Sequence, residues 1–232
     1  MSAVTTAEEA APALAAVRSR TSPWWIGWLV PPATILVILV GAVLLLMTPL
    51  WMHPALAAVG NGEATTLDVS DRTVAELLLG PGTFQIVTGK NFGPMIFAPD
   101  EAAHLRDARL VLYLFLVPAA ISLVFLMATV MRRGRDARVW RGIARGGKAL
   151  VVATIVLGIV GVLAFGAAFT LFHQIFFPGG NWEFPPDSAL IRLYPYAFWQ
   201  LTSVALGVLC IAGGSVAWLV GRRRAAKLAA RP

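Results

Sequence analysis

The chain has 232 residues, 58% of them hydrophobic and only 13% charged, with a mean hydropathy of +0.74. A soluble domain of this length carries about 25% charged residues, so composition excludes a soluble globular protein and defines an integral membrane one. The formal charge of +7 invites a nucleic-acid reading that the placement of the charges removes, and the single cysteine, Cys210, excludes an internal disulfide and a multi-cysteine metal site.

Residues 1–22 are small and polar and read as a disordered tail, with Arg18 and Arg20 near its end. The sequence is then uncharged from Thr21 through Gly62, and its helical part is predicted at roughly Trp24 to Trp51. Pro31 and Pro32 either start the spanning segment or kink it, which leaves residues 33–50 as the best-defined span. Ala55-Leu56-Ala57 mimics a signal-peptide cleavage site, but the apolar run far exceeds the 7–15 residues of a signal h-region. It is read as a retained helix.

Three further spans follow. Residues 110–131 are uncharged for 22 positions, 149–172 for 24, and 193–221 for 29. Each meets the ~20 residues needed to cross a hydrocarbon core, and the last is long enough to place its start in the interface, with the span at 195–220. The predicted fold is all-α: a bundle of four transmembrane helices within residues 23–221, followed by a basic tail at 222–232.

Basic residues orient the bundle. Two lie in the N-terminal tail, seven in the 132–148 loop and five in the C-terminal tail, which is 14 of 19 on one side, against three acids there (Glu8, Glu9 and Asp136). Both termini are therefore expected in the cytoplasm, with residues 51–109 and 173–194 forming an extracytoplasmic cap. The basic excess is a topology signal and an attraction to anionic lipid, so no nucleic-acid partner is expected.

Within the cap, Asp71 to Leu79 is predicted as a short amphipathic helix capped by Asp71 or Thr73, with Thr73 and Glu76 at capping-box spacing. Gly80-Pro81-Gly82 ends it. Thr83 to Val87 reads as extended and Lys90 to Gly93 as a turn, and Pro99-Asp100-Glu101 starts a helix that runs into the second span.

All three histidines, His53, His104 and His173, fall at the level of the cap. Glu101, His104 and Asp107 are spaced three apart and share a helical stripe. A carboxylate one turn from a histidine can orient the ring and stabilise the imidazolium; equally, the stripe is a polar helix end with local ion pairs to Arg106 or Arg109. His173 either anchors a helix end or serves a site, and the surrounding Phe172, Phe176, Phe177, Trp182, Phe184 and Trp199 would partly desolvate it. Ionisable groups this close to a bilayer are functional candidates. Arg192 can pair with Glu183 or Asp187, bind a lipid phosphate or carboxylate, or snorkel to the headgroups. Trp182, Tyr194 and Tyr196 are most simply an interfacial belt. Cys210 lies deep in the fourth span, remote from the histidines, and no H-E-x-x-H, G-x-S-x-G or P-loop is present. Metal binding by the histidines with Glu101 or Asp107 has no diagnostic spacing.

Two segments carry a resemblance. FAPDEAAHLRDARLVL is similar to the E-x-x-H-L/M-x-D-V element of the lipoprotein intramolecular transacylase (Lit) family, with Ala108 where the family has valine. LFHQIFFPGGNWEFPPDSALIRLYPYAFW resembles that family's second element, a helix-ending F-H-x-x-F-F followed by W-x-F and L-I-x-L-Y-P-x-x-F-W. The resemblance covers roughly residues 30–220. It implies a bacterial plasma-membrane enzyme that moves the sn-2 acyl chain of a diacylglyceryl lipoprotein to the α-amino group of its N-terminal cysteine. The family's catalytic histidines map onto His104 and His173. Two histidines suit such an aminolysis, one taking the amine proton and the other protonating the leaving glyceryl oxygen. As further expectations, Glu101 or Asp107 orients His104, Arg192 or backbone N–H groups steady the oxyanion, and Phe172, Phe176, Trp182 and Tyr194 contact the lipid. No cofactor or metal is expected, and diacylglyceryl lipoproteins and membrane lipid are the expected partners. The rival readings are a haem- or copper-binding redox protein and a non-catalytic membrane scaffold.

Overall fold

The structure is a computed structural model that describes residues 23–87 and 95–231; the expected 1–22 tail and the 90–93 turn lie outside the described residues. Eight helices are described: α1 (Trp25–Leu46), α2 (Pro49–Ala58), α3 (Ala64–Leu78), α4 (Pro99–Arg133), α5 (Ala137–Leu163), α6 (Phe165–Phe176), α7 (Ala189–Leu193) and α8 (Tyr196–Ala229). Among them α1, α4, α5 and α8 are long and apolar enough to cross a membrane, and the chain is a multi-pass, all-α membrane protein.

Several boundaries differ from those predicted, each for a local reason. Helix α1 runs through Pro31 and Pro32 without a break and ends at Leu46. Thr48 then takes an extended conformation (φ −81°, ψ 155°) in front of Pro49, which opens α2; a residue before proline is disfavoured in the helical region. The expected third span is two helices. Starting at Ala137, α5 is about 40 Å long by Leu163 at 1.5 Å per residue, already enough to cross. The chain breaks at Ala164 (φ −144°, ψ 47°). Phe165, Phe169 and Phe176 of α6 then pack on Tyr196 and Phe115. At the far end, α8 continues through Arg222, Arg223, Arg224 and Lys227, so the basic tail is largely helical.

Helices α5 and α8 form the longest contact of the bundle. Small residues permit it. A Cβ on Gly147 would come within 2.5 Å of the Gly214 carbonyl, and one on Gly221 within 2.7 Å of the Trp140 carbonyl, the close backbone approach by which membrane helices associate. Cys210 is buried beside Ala42 and Leu150 in this interface. Helix α1 packs across α4, α5 and α8.

The cap is built on the other ends of α4 and α8. Its core gathers Met52, Ala55 and Leu56 of α2, then Phe84, Ile86 and Phe97 between α3 and α4. Ala102 and Leu105 of α4, Leu190 and Leu193 of α7, Tyr194, and Phe198 of α8 complete it. Phe84 accepts a positive φ of 54° to put its ring there, 1% exposed; a bulky residue is rarely found in that region. The cap helix α3 starts seven residues earlier than predicted, after Glu63. The proposed capping pair therefore does other things. The Thr73 hydroxyl donates to the Val69 carbonyl, and Glu76 accepts from the Gly82 and Thr83 amides, holding the Gly80-Pro81-Gly82 turn. The expected extended piece is reduced to an isolated antiparallel bridge between Val87 and Met95.

Candidate active site

Helix α4 carries His104 six residues before its apolar stretch begins, and α6 carries His173 in its last turn. The fold brings the two rings together with centroids 6.1 Å apart and planes at 23°. Phe177 touches both, at 4.6 Å from His104 and 5.6 Å from His173. Phe184 closes on His104 at 5.6 Å, and Trp182 lies on His173 at 4.8 Å. The aromatic surroundings expected from the sequence are thus present, and they act on both histidines.

Their electrostatic effect is a lowered basicity. His104 is only 9% exposed, and burial lowers its pKa from 6.5 to about 4; the neighbouring His173 lowers it too, while Asp107 pulls the other way. Burial also lowers His173, opposed by its hydrogen bond to the Phe169 carbonyl. Desolvation disfavours the charged imidazolium, so both rings are neutral near pH 7. The tautomer of His173 is fixed as well. Its Nδ1 donates to the Phe169 carbonyl at 2.8 Å, because a carbonyl oxygen only accepts. The neutral ring then carries its lone pair on Nε2. His104 Nδ1 is buried with no partner among the described residues.

The carboxylates expected to orient His104 are otherwise engaged. Glu101, 2% exposed, accepts from the Leu190 amide (2.8 Å) and the Ala98 amide (2.7 Å), which ties α7 to the start of α4. Asp107 accepts from Asn181 Nδ2 at 2.5 Å. Neither hydrogen-bonds His104, and Asp107 reaches it only through its charge. The expected ion pairs with Arg106 and Arg109 are not among the salt bridges of the described residues. Arg109 instead donates to the Glu76 (2.7 Å) and Gly80 (2.6 Å) carbonyls, and Tyr113 to Leu78 (2.5 Å), gathering the C-terminal carbonyls of α3. Residues Asn181 and Phe169 were not picked out from the sequence. The four-residue step from Phe169 to His173 is the pattern that would have exposed the second.

Of the other expected site residues, Phe172 and Phe176 pack together beside His173 at 4.9 Å. Tyr194 is not at the histidines: it is buried in the cap core with its hydroxyl 3.2 Å from Ser70 Oγ, and burial pushes its pKa up to about 12. Arg192 is exposed on the wall of a cleft of about 590 Å³ with Asp100, Asp187 and Phe184. His53 is apart from the pair, 3.0 Å from Asp71 of α3. Among the described residues no three His, Cys, Asp or Glu side chains converge.

A four-span helical bundle whose cap holds two desolvated histidine rings face to face defines the class: an all-α, multi-pass membrane protein with a histidine pair where the cap meets the spans. The family model described as lipoprotein intramolecular transacylase Lit matches residues 69–199, more than half of the chain, and includes both histidines. The chain belongs to this family. An uncharacterized protein of Aquifex aeolicus (strain VF5) is 26% identical over 130 residues, 56% of this chain. The match spans 58% of that relative's length. The solved structure of the membrane integral lipoprotein intramolecular transacylase Lit from Bacillus cereus has the same fold, with a TM-score of 0.61 at 17% identity, covering 87% of this chain and 95% of that one. A second structure of that protein, carrying a histidine-to-arginine mutation, gives 0.59 at 14% identity, covering 95% and 98%.

Proposed function

We propose that this chain is a membrane acyltransferase that moves the sn-2 acyl chain of a diacylglyceryl lipoprotein onto the α-amino group of the same molecule's N-terminal cysteine. The family supports the reaction class, and the observation that carries the mechanism is the stacked pair of His104 and His173. The amine nitrogen attacks the sn-2 ester carbonyl, and Nε2 of His173 takes a proton from it. The ester C–O bond breaks, and the proton returns through His104 to the leaving glyceryl oxygen. One amide and one free sn-2 hydroxyl result, and both rings end as they began.

Lowered basicity suits this cycle, since a ring neutral at pH 7 has its lone pair available and gives the proton back readily. Holding amine and ester of one molecule together replaces a bimolecular encounter, a gain worth up to ~7–11 kcal/mol of barrier. The basic loop at 132–148 and the C-terminal tail support cytoplasmic termini and, with them, a site facing outward from a bacterial plasma membrane. The test is mass spectrometry of a lipoprotein N-terminus from cells that lack other N-acylation, with and without this chain. The N-acylated lyso form is expected only with the chain present, and not with His104→Ala or His173→Ala; its persistence in both variants overturns the mechanism.

A further inference from the structure

A groove of about 430 Å³ lies where α4 leaves the cap, lined by Asp107, Leu110, Val111, Phe176, Phe177 and Asn181 among others. Leu110 and Val111 open the apolar stretch of α4, so the groove straddles the boundary between cap and membrane. Phe177 belongs both to this groove and to the packing of both histidine rings. At its head stands the Asp107 carboxylate, half-buried, held by Asn181. No cation lies within salt-bridge distance of it among the described residues; Arg109, two positions on, is turned to the α3 carbonyls. An acidic group at the top of an otherwise apolar groove, beside a proton-transfer pair, is complementary to a cation carried on a lipid.

From this placement we infer that Asp107 binds the α-ammonium of the lipid-bearing N-terminal residue, with an acyl chain of the same molecule lying along Leu110, Val111 and Phe176. The inference rests on the acyl-transfer reading and names the group that recognises its nucleophile. An N-terminal amine has an ordinary pKa of about 7.7–8.0 and arrives largely as the cation, which a carboxylate holds by a charge-assisted hydrogen bond. The bound ammonium releases one proton to water to become the neutral nucleophile; when that amine attacks the ester, positive charge develops again on the same nitrogen until His173 takes the second proton, and the same carboxylate stabilises it. Asn181 acts through Asp107, fixing the carboxylate rotamer.

The test uses the full-length protein in lipid nanodiscs and a dialkylglyceryl-cysteine peptide whose ether links cannot transfer, compared with its N-acetylated counterpart, which carries no ammonium. The free-amine form is expected to bind about tenfold more tightly than the N-acetylated form. Asp107→Asn, which keeps an acceptor for Asn181, is expected to abolish that preference. Asp107→Glu and Asn181→Ala keep the charge and are expected to retain at least part of it. Equal binding of the two peptides to the unaltered protein overturns the inference even if Asp107→Asn does not fold, and so does an undiminished preference in a folded Asp107→Asn. If equal binding is accompanied by transfer on a diacyl substrate, only the role of Asp107 fails. If neither peptide binds better than the lipid-free peptide and no transfer occurs, the acyl-transfer reading fails with it.

Discussion

Acidification should destabilise this protein through His104 in a defined window. The ring's ordinary pKa is 6.5, and burial lowers it to about 4 in the folded protein. Above pH 6.5 neither the folded nor the unfolded chain is protonated there. Between 6.5 and about 4 the unfolded chain binds a proton that the folded one refuses, so stability falls as pH falls, and below about 4 the loss is complete. At about 1.4 kcal/mol per pKa unit, the loss amounts to roughly 3 kcal/mol. For a chain of this size that is a fall in Tm on the order of 5–10 °C. His173, lowered by the same cause, adds to it with the same sign. The assay is thermal unfolding of the purified protein in detergent at several pH values, beside His104→Leu, which fills the site without a titrating group and removes the unpartnered Nδ1. The variant should show a flatter decline between pH 6.5 and 4. Parallel declines in the two proteins would refute the claim that burial keeps His104 neutral.

Glu101→Gln retains one acceptor oxygen where two amides need one each, so it should destabilise by about 1–3 kcal/mol; amide hydrogen exchange at Leu190 should speed up, and unchanged protection there would contradict the tie between α7 and α4. Arg109→Ala should lower stability by about 2–4 kcal/mol through loss of two charged hydrogen bonds. Both bonds leave from one nitrogen, Nη1, so Arg109→Lys, whose ammonium carries three donors, should recover part of that loss, and equal melting of the Lys and Ala forms would remove this explanation of how α3 is held.

The long apolar runs and the charge asymmetry made the four membrane helices legible, because bilayer thickness and the cost of intramembrane charge act on composition directly. Where the helices end was less legible. The Thr48–Pro49 break had a local cause, the proline itself, hidden inside a long uncharged run, whereas the Ala164 break depends on how the chain packs after it has crossed, which an unbroken apolar run does not record. The pairing of His104 with His173 followed from placing both at one membrane level and from the family resemblance. The jobs of the carboxylates did not follow. Spacing of three put Glu101, His104 and Asp107 on one stripe, yet partners distant in sequence decided their roles, Leu190 for Glu101 and Asn181 for Asp107. Tyr194 misled for a related reason: its aromatic neighbours suit an interfacial belt equally well, and only the cap core and Ser70 show it buried.

The central claim is that one molecule's acyl chain moves to its own amine under the control of two stacked histidines. The purified protein would be given two diacylglyceryl lipopeptides together, of different peptide mass, only one bearing an isotope label in its sn-2 chain, and the N-acylated products weighed. Each product is expected to keep its own chain, with no product from His173→Ala. Chains exchanged between the two peptides, or undiminished transfer by His173→Ala, would contradict the claim.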